Sequence, residues 1–151
     1  METEEVQNLY WSEFANFLKS KHLKGTIQRM EVKIPGLPIY LRYSFYSNTN
    51  TQNSNRKNCI CVTLFTMEED GKKTLNNLFD TVNKRFSSKA ITVYREPENS
   101  DNGKGLRIIV QNNQINVYEV DNADWKIAYQ WMDKTSKKLL EILIKKVAIL
   151  G

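Results

Sequence analysis

Residue types that carry chemistry are few in this chain, and their spacing limits what they could do together. The single histidine, His22, stands in Lys21-His22-Leu23-Lys24 at the expected end of a first helix. A protonatable ring there interacts favourably with the negative end of the helix dipole. One histidine, with no Gly-x-Ser-x-Gly motif, supports neither a Ser-His-Asp triad nor a His-rich metal site. Glu31-Val32-Lys33 has the Glu-x-Lys spacing of half a restriction-type nuclease site. In such a site two carboxylates hold magnesium and the lysine helps to activate water. A second acid is needed, yet no Asp precedes Asp70, which leaves Glu13 on the first helix as the nearby candidate. The same spacing is ordinary on the polar side of an edge strand, where Lys discourages aggregation.

Cys59 and Cys61 lie two apart in a β-branched run. On a strand they share a face with Cα atoms about 6.5–7 Å apart, so a mutual disulfide is strained and both read as small core hydrophobes. Glu68-Glu69-Asp70 is explained by compensation of a helix dipole. Gly103-Lys104-Gly105 lacks phosphate-loop spacing and precedes a strand. No catalytic residue, metal or cofactor is expected from these groups.

Binding is the better supported use of the polar residues. Lys plus Arg number 22 against 17 Asp plus Glu, a net charge of +5 spread over both halves of the chain. Arg29, Lys33, Arg42, Arg56 and Lys57 lie in or beside the first three strands, with Tyr40 and Tyr46 on the same strand face as Arg42. Aromatics interleaved with Arg on a sheet can stack bases and neutralise phosphates. If that face binds nucleic acid, Arg42→Ala and Tyr40→Ala each weaken it. On the last helix Lys134, Lys137, Lys138, Lys145 and Lys146 outnumber Asp133 and Glu141. Lys on a solvated helix face is also ordinary. Tyr40, Tyr46, Trp11 and Trp131 suit a protein interface, where aromatics are enriched, whereas Trp125 and Phe79 are expected in the core.

The elements that must position these residues follow from periodicity. Val6, Leu9, Tyr10, Phe14, Phe17 and Leu18 form one helical stripe over 4–21. Strands are expected over 30–34, 39–45 and 59–66, with a polar hairpin loop over 48–58. A second helix begins at Met67 or Gly71 and runs to Phe86. Strands over 90–95 and 106–111 follow, joined by a polar loop over 97–105, and a further strand is expected over 114–120. A long helix over 123–150 closes the chain. Short connections between strands indicate an antiparallel sheet with helices on one face, hence a single α+β domain over 1–151 with about five strands.

No run of 18 apolar residues is present, and the acidic start Met1-Glu2-Thr3-Glu4-Glu5 is unlike a secretory signal. A cytoplasmic protein without membrane contact is expected.

Tyr10-Trp11-Ser12-Glu13-Phe14, Leu75-Asn76-Asn77-Leu78-Phe79, Arg107-Ile108, Asp124-Trp125 and Trp131-Met132 together resemble a prokaryotic family, the domain of unknown function numbered four-two-six-eight. The resemblance implies an aromatic-rich first helix, an antiparallel sheet and a tryptophan-opened final helix. It also implies kinship with domains that often follow a predicted nuclease-like part, and it supplies no catalytic residue. The expected function is a non-enzymatic accessory domain of prokaryotic DNA-processing or defence systems. Its expected partner is a protein, a second copy of the chain in a homodimer included, or nucleic acid. The alternatives are a phage-type inhibitor of a defence nuclease, and a metal-dependent nuclease using Glu13, Glu31 and Lys33.

Overall fold

A computed structural model describes residues 3–17, 25–26, 29–46, 56–100, 103–118 and 125–150. Helix α1 (Thr3–Phe17) is followed by strands β1 (Gly25–Thr26), β2 (Arg29–Lys33), β3 (Tyr40–Tyr46) and β4 (Cys59–Thr66). Helix α2 (Glu69–Phe86), strands β5 (Ile91–Ser100) and β6 (Gly103–Asn112), and helix α3 (Trp125–Leu150) complete the order. The fold is α+β, as the periodicity predicts: five strands and the two-residue β1 form an antiparallel sheet in the order β1-β2-β3-β4-β6-β5. No described helix is long and apolar enough to cross a membrane.

Alternation assigns each side chain of the sheet to one of two faces. Leu41, Tyr43, Phe45, Ile60, Val62, Leu64, Ile108 and Val110 pack with Val6, Tyr10, Phe14, Leu75, Leu78, Ala128, Met132 and Leu139 of the helices. Tyr10 is central to this core, its ring centroid 4.7 Å from Phe45, 4.9 Å from Tyr129 and 5.3 Å from Trp125. Such pairs contribute about 0.5–1.5 kcal/mol each beyond the area they bury. Trp125 is anchored further by its indole N–H, which donates to the Val117 carbonyl at 2.9 Å. Trp11, a candidate for an interface, is instead core, and Trp131 is half-buried against it.

Local chemistry explains the boundaries. Gly36 adopts φ 79° in the turn between β2 and β3, a left-handed conformation that glycine takes without strain. At the start of α2 the Glu68 N–H donates to Thr66 Oγ1 at 3.1 Å. Gly71 lies against that threonine: a Cβ there would come within 2.1 Å of Thr66 Oγ1, so only glycine lets helix and strand approach this closely.

Three expectations need correction. The loop over 97–105 does not exist as drawn, because β5 and β6 each run for ten residues and pair from Ile91↔Asn112 to Ser100↔Gly103. Pro97 is tolerated because β5 is an edge strand. The strand expected over 114–120 is absent from its described part. Asn112 Oδ1 accepts from the Gln114 N–H and Asn116 Oδ1 from the Tyr118 N–H, at 2.9 and 3.0 Å. Those side chains take the backbone donors that a ladder would use. The second helix starts at Glu69 rather than Met67 or Gly71. His22, most of the loop over 48–58 and the end of the first helical stripe lie outside the described residues.

Candidate functional site

The face of the sheet opposite the helices carries most of the residues singled out for binding. Register places Lys33 opposite Tyr40, Tyr40 opposite Phe65, and Phe65 opposite Arg107. In the next row Glu31 faces Arg42, and Arg42 faces Thr63. The Arg42 guanidinium lies 4.2 Å from the Phe65 ring centroid. Its Nε donates to Glu31 Oε1 at 2.8 Å, and its two terminal nitrogens donate to the two Glu98 oxygens at 3.1 Å each. Arg107 donates to the same Glu98 at 3.2 Å and also to Glu96. Arg56 donates to Glu96 at 2.5 Å and to the Tyr94 hydroxyl at 3.3 Å, and that hydroxyl donates to Gln111 Oε1 at 2.8 Å.

Three guanidiniums thus meet three carboxylates. The centre of the network is removed from water, with Arg42 5%, Arg56 8% and Glu98 9% exposed, while Glu96 and Arg107 are half-buried and Glu31 is exposed. Burial alone would raise the Glu98 pKa, but the hydrogen bonds and charges of Arg42 and Arg107 outweigh it and hold it below the usual carboxylate range. Burial likewise opposes the charge on Arg42, yet Glu98 and Glu31 more than offset it and raise its pKa. Planar guanidiniums gripping carboxylates in a fork are the geometry that makes buried pairing worthwhile.

Around this network the other candidates are spread. Tyr40 is 37% exposed and stacks on Phe65, with centroids 5.2 Å apart and planes at 20°. Lys33 and Lys57 are exposed. Tyr46 is half-buried with the Arg56 guanidinium 5.7 Å from its ring centroid, and Arg29 is in register with Ser44. Cys59 and Cys61 are buried free thiols in a small cluster with Ile109, Tyr46 and Tyr94. Burial pushes the Cys61 thiol well up, as suits an inert packing residue.

The nuclease constellation does not assemble. Glu13 accepts from the Tyr129 hydroxyl at 3.2 Å on the helix-covered side, whereas Glu31 and Lys33 stand with Arg42 on the other face. Among the described residues no group of three His, Cys, Asp or Glu side chains could hold a metal ion.

A second cationic region lies across the molecule, where α2 and α3 pack side by side. A groove of about 390 Å³ runs between them, with Leu78 and Ile142 among its apolar lining. Arg85 enters from α2, and Lys138, Lys145 and Lys146 from α3, with Glu141 as the lone acid. Lys138, Ile142, Lys145 and Lys146 follow the three-and-four spacing of one helix face. Lys145 reaches Glu141 at 3.2 Å and Lys137 reaches Asp133 at 3.0 Å, both pairs partly or wholly in solvent. Arg85, Lys134, Lys138 and Lys146 have no carboxylate partner among the described residues.

Sequence reasoning missed Glu96, Glu98, Tyr94 and Arg85 as members of these regions. Tyr94-x-Glu96-x-Glu98 has the period of two that marks one strand face, so a signal for the first three was present. Arg85 carried none, since a basic last turn of a helix is explained by the dipole alone. No known protein family, curated protein or solved structure matches this chain.

Proposed function

We propose that this chain is a non-enzymatic interaction domain. In this reading it is an accessory to prokaryotic DNA-processing or defence systems, and it presents its helical layer to nucleic acid while its sheet serves as a rigid scaffold. One observation carries the reading: Arg42, Arg56 and Arg107 of the sheet face are matched by glutamates, while Arg85, Lys134, Lys138 and Lys146 of the α2–α3 layer have no carboxylate partner among the described residues. Charge left uncompensated at a surface is what attracts a polyanion, because its counterions are released on contact.

Fluorescence-anisotropy titration with single- and double-stranded DNA and RNA tests the reading, with and without magnesium and with gels run on the same samples. The expected outcome is binding with dissociation constants of about 1–100 µM and no cleavage, weakening steeply as salt rises. Absence of binding to every nucleic acid at low salt overturns it in favour of a protein partner. Cleavage abolished by Glu31→Ala overturns it in favour of an enzyme.

A further inference from the structure

We infer that the groove between α2 and α3 is a binding cleft for the sugar–phosphate backbone of single-stranded nucleic acid, gripped by Arg85, Lys138, Lys145 and Lys146. The inference rests on the proposed function and names the site and ligand that would perform it.

Cations on one solvated helix face are ordinary, and Arg85 in the last turn of α2 would be accounted for by the helix dipole. Convergence separates this groove from that background. Two helices contribute cations to one cleft, and its single acid, Glu141, is engaged with Lys145. Lys138 and Lys146 are half-buried, and both line the groove. A lysine so placed packs its aliphatic stem and leaves the ammonium at the mouth. An apolar floor between charged rims matches a ligand whose sugars are less polar than the phosphates that flank them.

Size selects the single strand. The groove holds about 390 Å³ and lies between helices in direct contact, whose axes are therefore about 8–10 Å apart. One chain can lie along it, whereas a duplex touches only the rims. An acidic peptide would also find cations here. It is the less favoured ligand because the aliphatic floor offers no acceptor for its backbone N–H groups and the one groove carboxylate, Glu141, is already held by Lys145.

Four cations neutralising three to four phosphates predict a slope of log affinity against log salt of about −2 to −3 for a single strand. The test titrates fluorescein-labelled oligothymidylate into the wild-type chain, a groove variant, K138E/K145E, and a charge-matched control, K73E/K126E. The two control lysines are exposed on the same helices outside the groove. The groove variant is expected to lose about tenfold or more in affinity and to flatten the salt slope by about 1.4, with the control within about threefold of wild type. Circular dichroism confirms that both variants fold.

Equal losses in both variants would reduce the effect to net charge and overturn the inference. Wild-type affinity in K138E/K145E would place the site elsewhere, overturning the inference while leaving the proposed function standing. A duplex of the same length bound more tightly than oligothymidylate would refute the single-strand assignment. Polyglutamate competing as well as oligothymidylate at equal charge would make the groove an acidic-peptide site instead. No binding of wild type to any nucleic acid would defeat the proposed function itself, and the inference with it.

Discussion

On the helix-free face of the sheet Arg42, Arg56 and Arg107 meet Glu31, Glu96 and Glu98, whereas in the α2–α3 groove Arg85, Lys138 and Lys146 meet no described carboxylate. The two regions hold similar numbers of cations and use them in opposite ways. In the first, planar guanidiniums are fixed in bidentate or forked contacts and withdrawn from water, where an unpaired charge is costly. In the second, mostly ammonium groups stay hydrated on flexible stems, where they cost little and remain available. A net charge of +5 therefore does not reveal which cations a partner can reach.

The comparison breaks most visibly at Arg42. Arg42→Ala leaves the buried Glu98 with Arg107 alone and strips the guanidinium from Glu31 and from the Phe65 ring, so about 3–5 kcal/mol of stability is lost. Thermal denaturation should show a midpoint lower by roughly 10 °C. A drop of only a degree or two would mean that the network is no scaffold.

Glu98→Gln is the next largest change, at about 1.5–3 kcal/mol near neutral pH, since its three charge-assisted bonds from Arg42 and Arg107 are weakened or lost. Its pH dependence sharpens the point. The folded pKa of Glu98 is depressed, so its contribution is present above the unfolded value of about 4.3 and is lost as pH falls through the folded one. Urea titrations should show wild type and E98Q converging as pH drops below about 5. Parallel curves down to the acid transition would remove Glu98 from the network's energetics.

Tyr40→Ala comes third, costing about 0.5–1.5 kcal/mol through its lost stack on Phe65. With Arg42 tied to glutamates, Tyr40 is the sheet residue best placed to touch a partner. A fall in nucleic-acid affinity for Tyr40→Ala would extend the contact surface to the sheet; unchanged affinity confines it to the helices. The smallest expected effect is on the stability of K138E/K145E, within about 1 kcal/mol of wild type by urea denaturation, the loss of the Lys145–Glu141 pair and the new repulsion around Glu141 included. A larger loss would show that the groove lysines, too, are structural.

Much of the fold was legible because periodicity is a local property. The alternation of Ile39 to Phe45 and the apolar run from Cys59 placed β3 and β4 within a residue of their observed bounds, and the stripe from Val6 to Phe17 marked a real core face. The hairpin of β5 and β6 was not legible at its far end, because Pro97, Asn99, Ser100 and Gly103 have the composition of a loop. What makes it strand is non-local: Glu98 is held by Arg42 from 56 residues away and by Arg107 on the paired strand.

The sites divide in the same way. That Tyr40, Arg42 and Tyr46 share a face, and that Lys138 and Lys145 share another, follows from side-chain period and needs no tertiary information. Whether such a face is open, self-neutralised or grooved depends on which distant segment lies against it. Arg42 is tied to Glu98 of the distant β5 and lies over Phe65 of β4, and the groove carries cations from two helices only because α2 delivers Arg85 beside α3. Local steric and hydrophobic patterning chooses helix or strand within a few residues, but charge compensation acts through space and is decided only when the chain has closed.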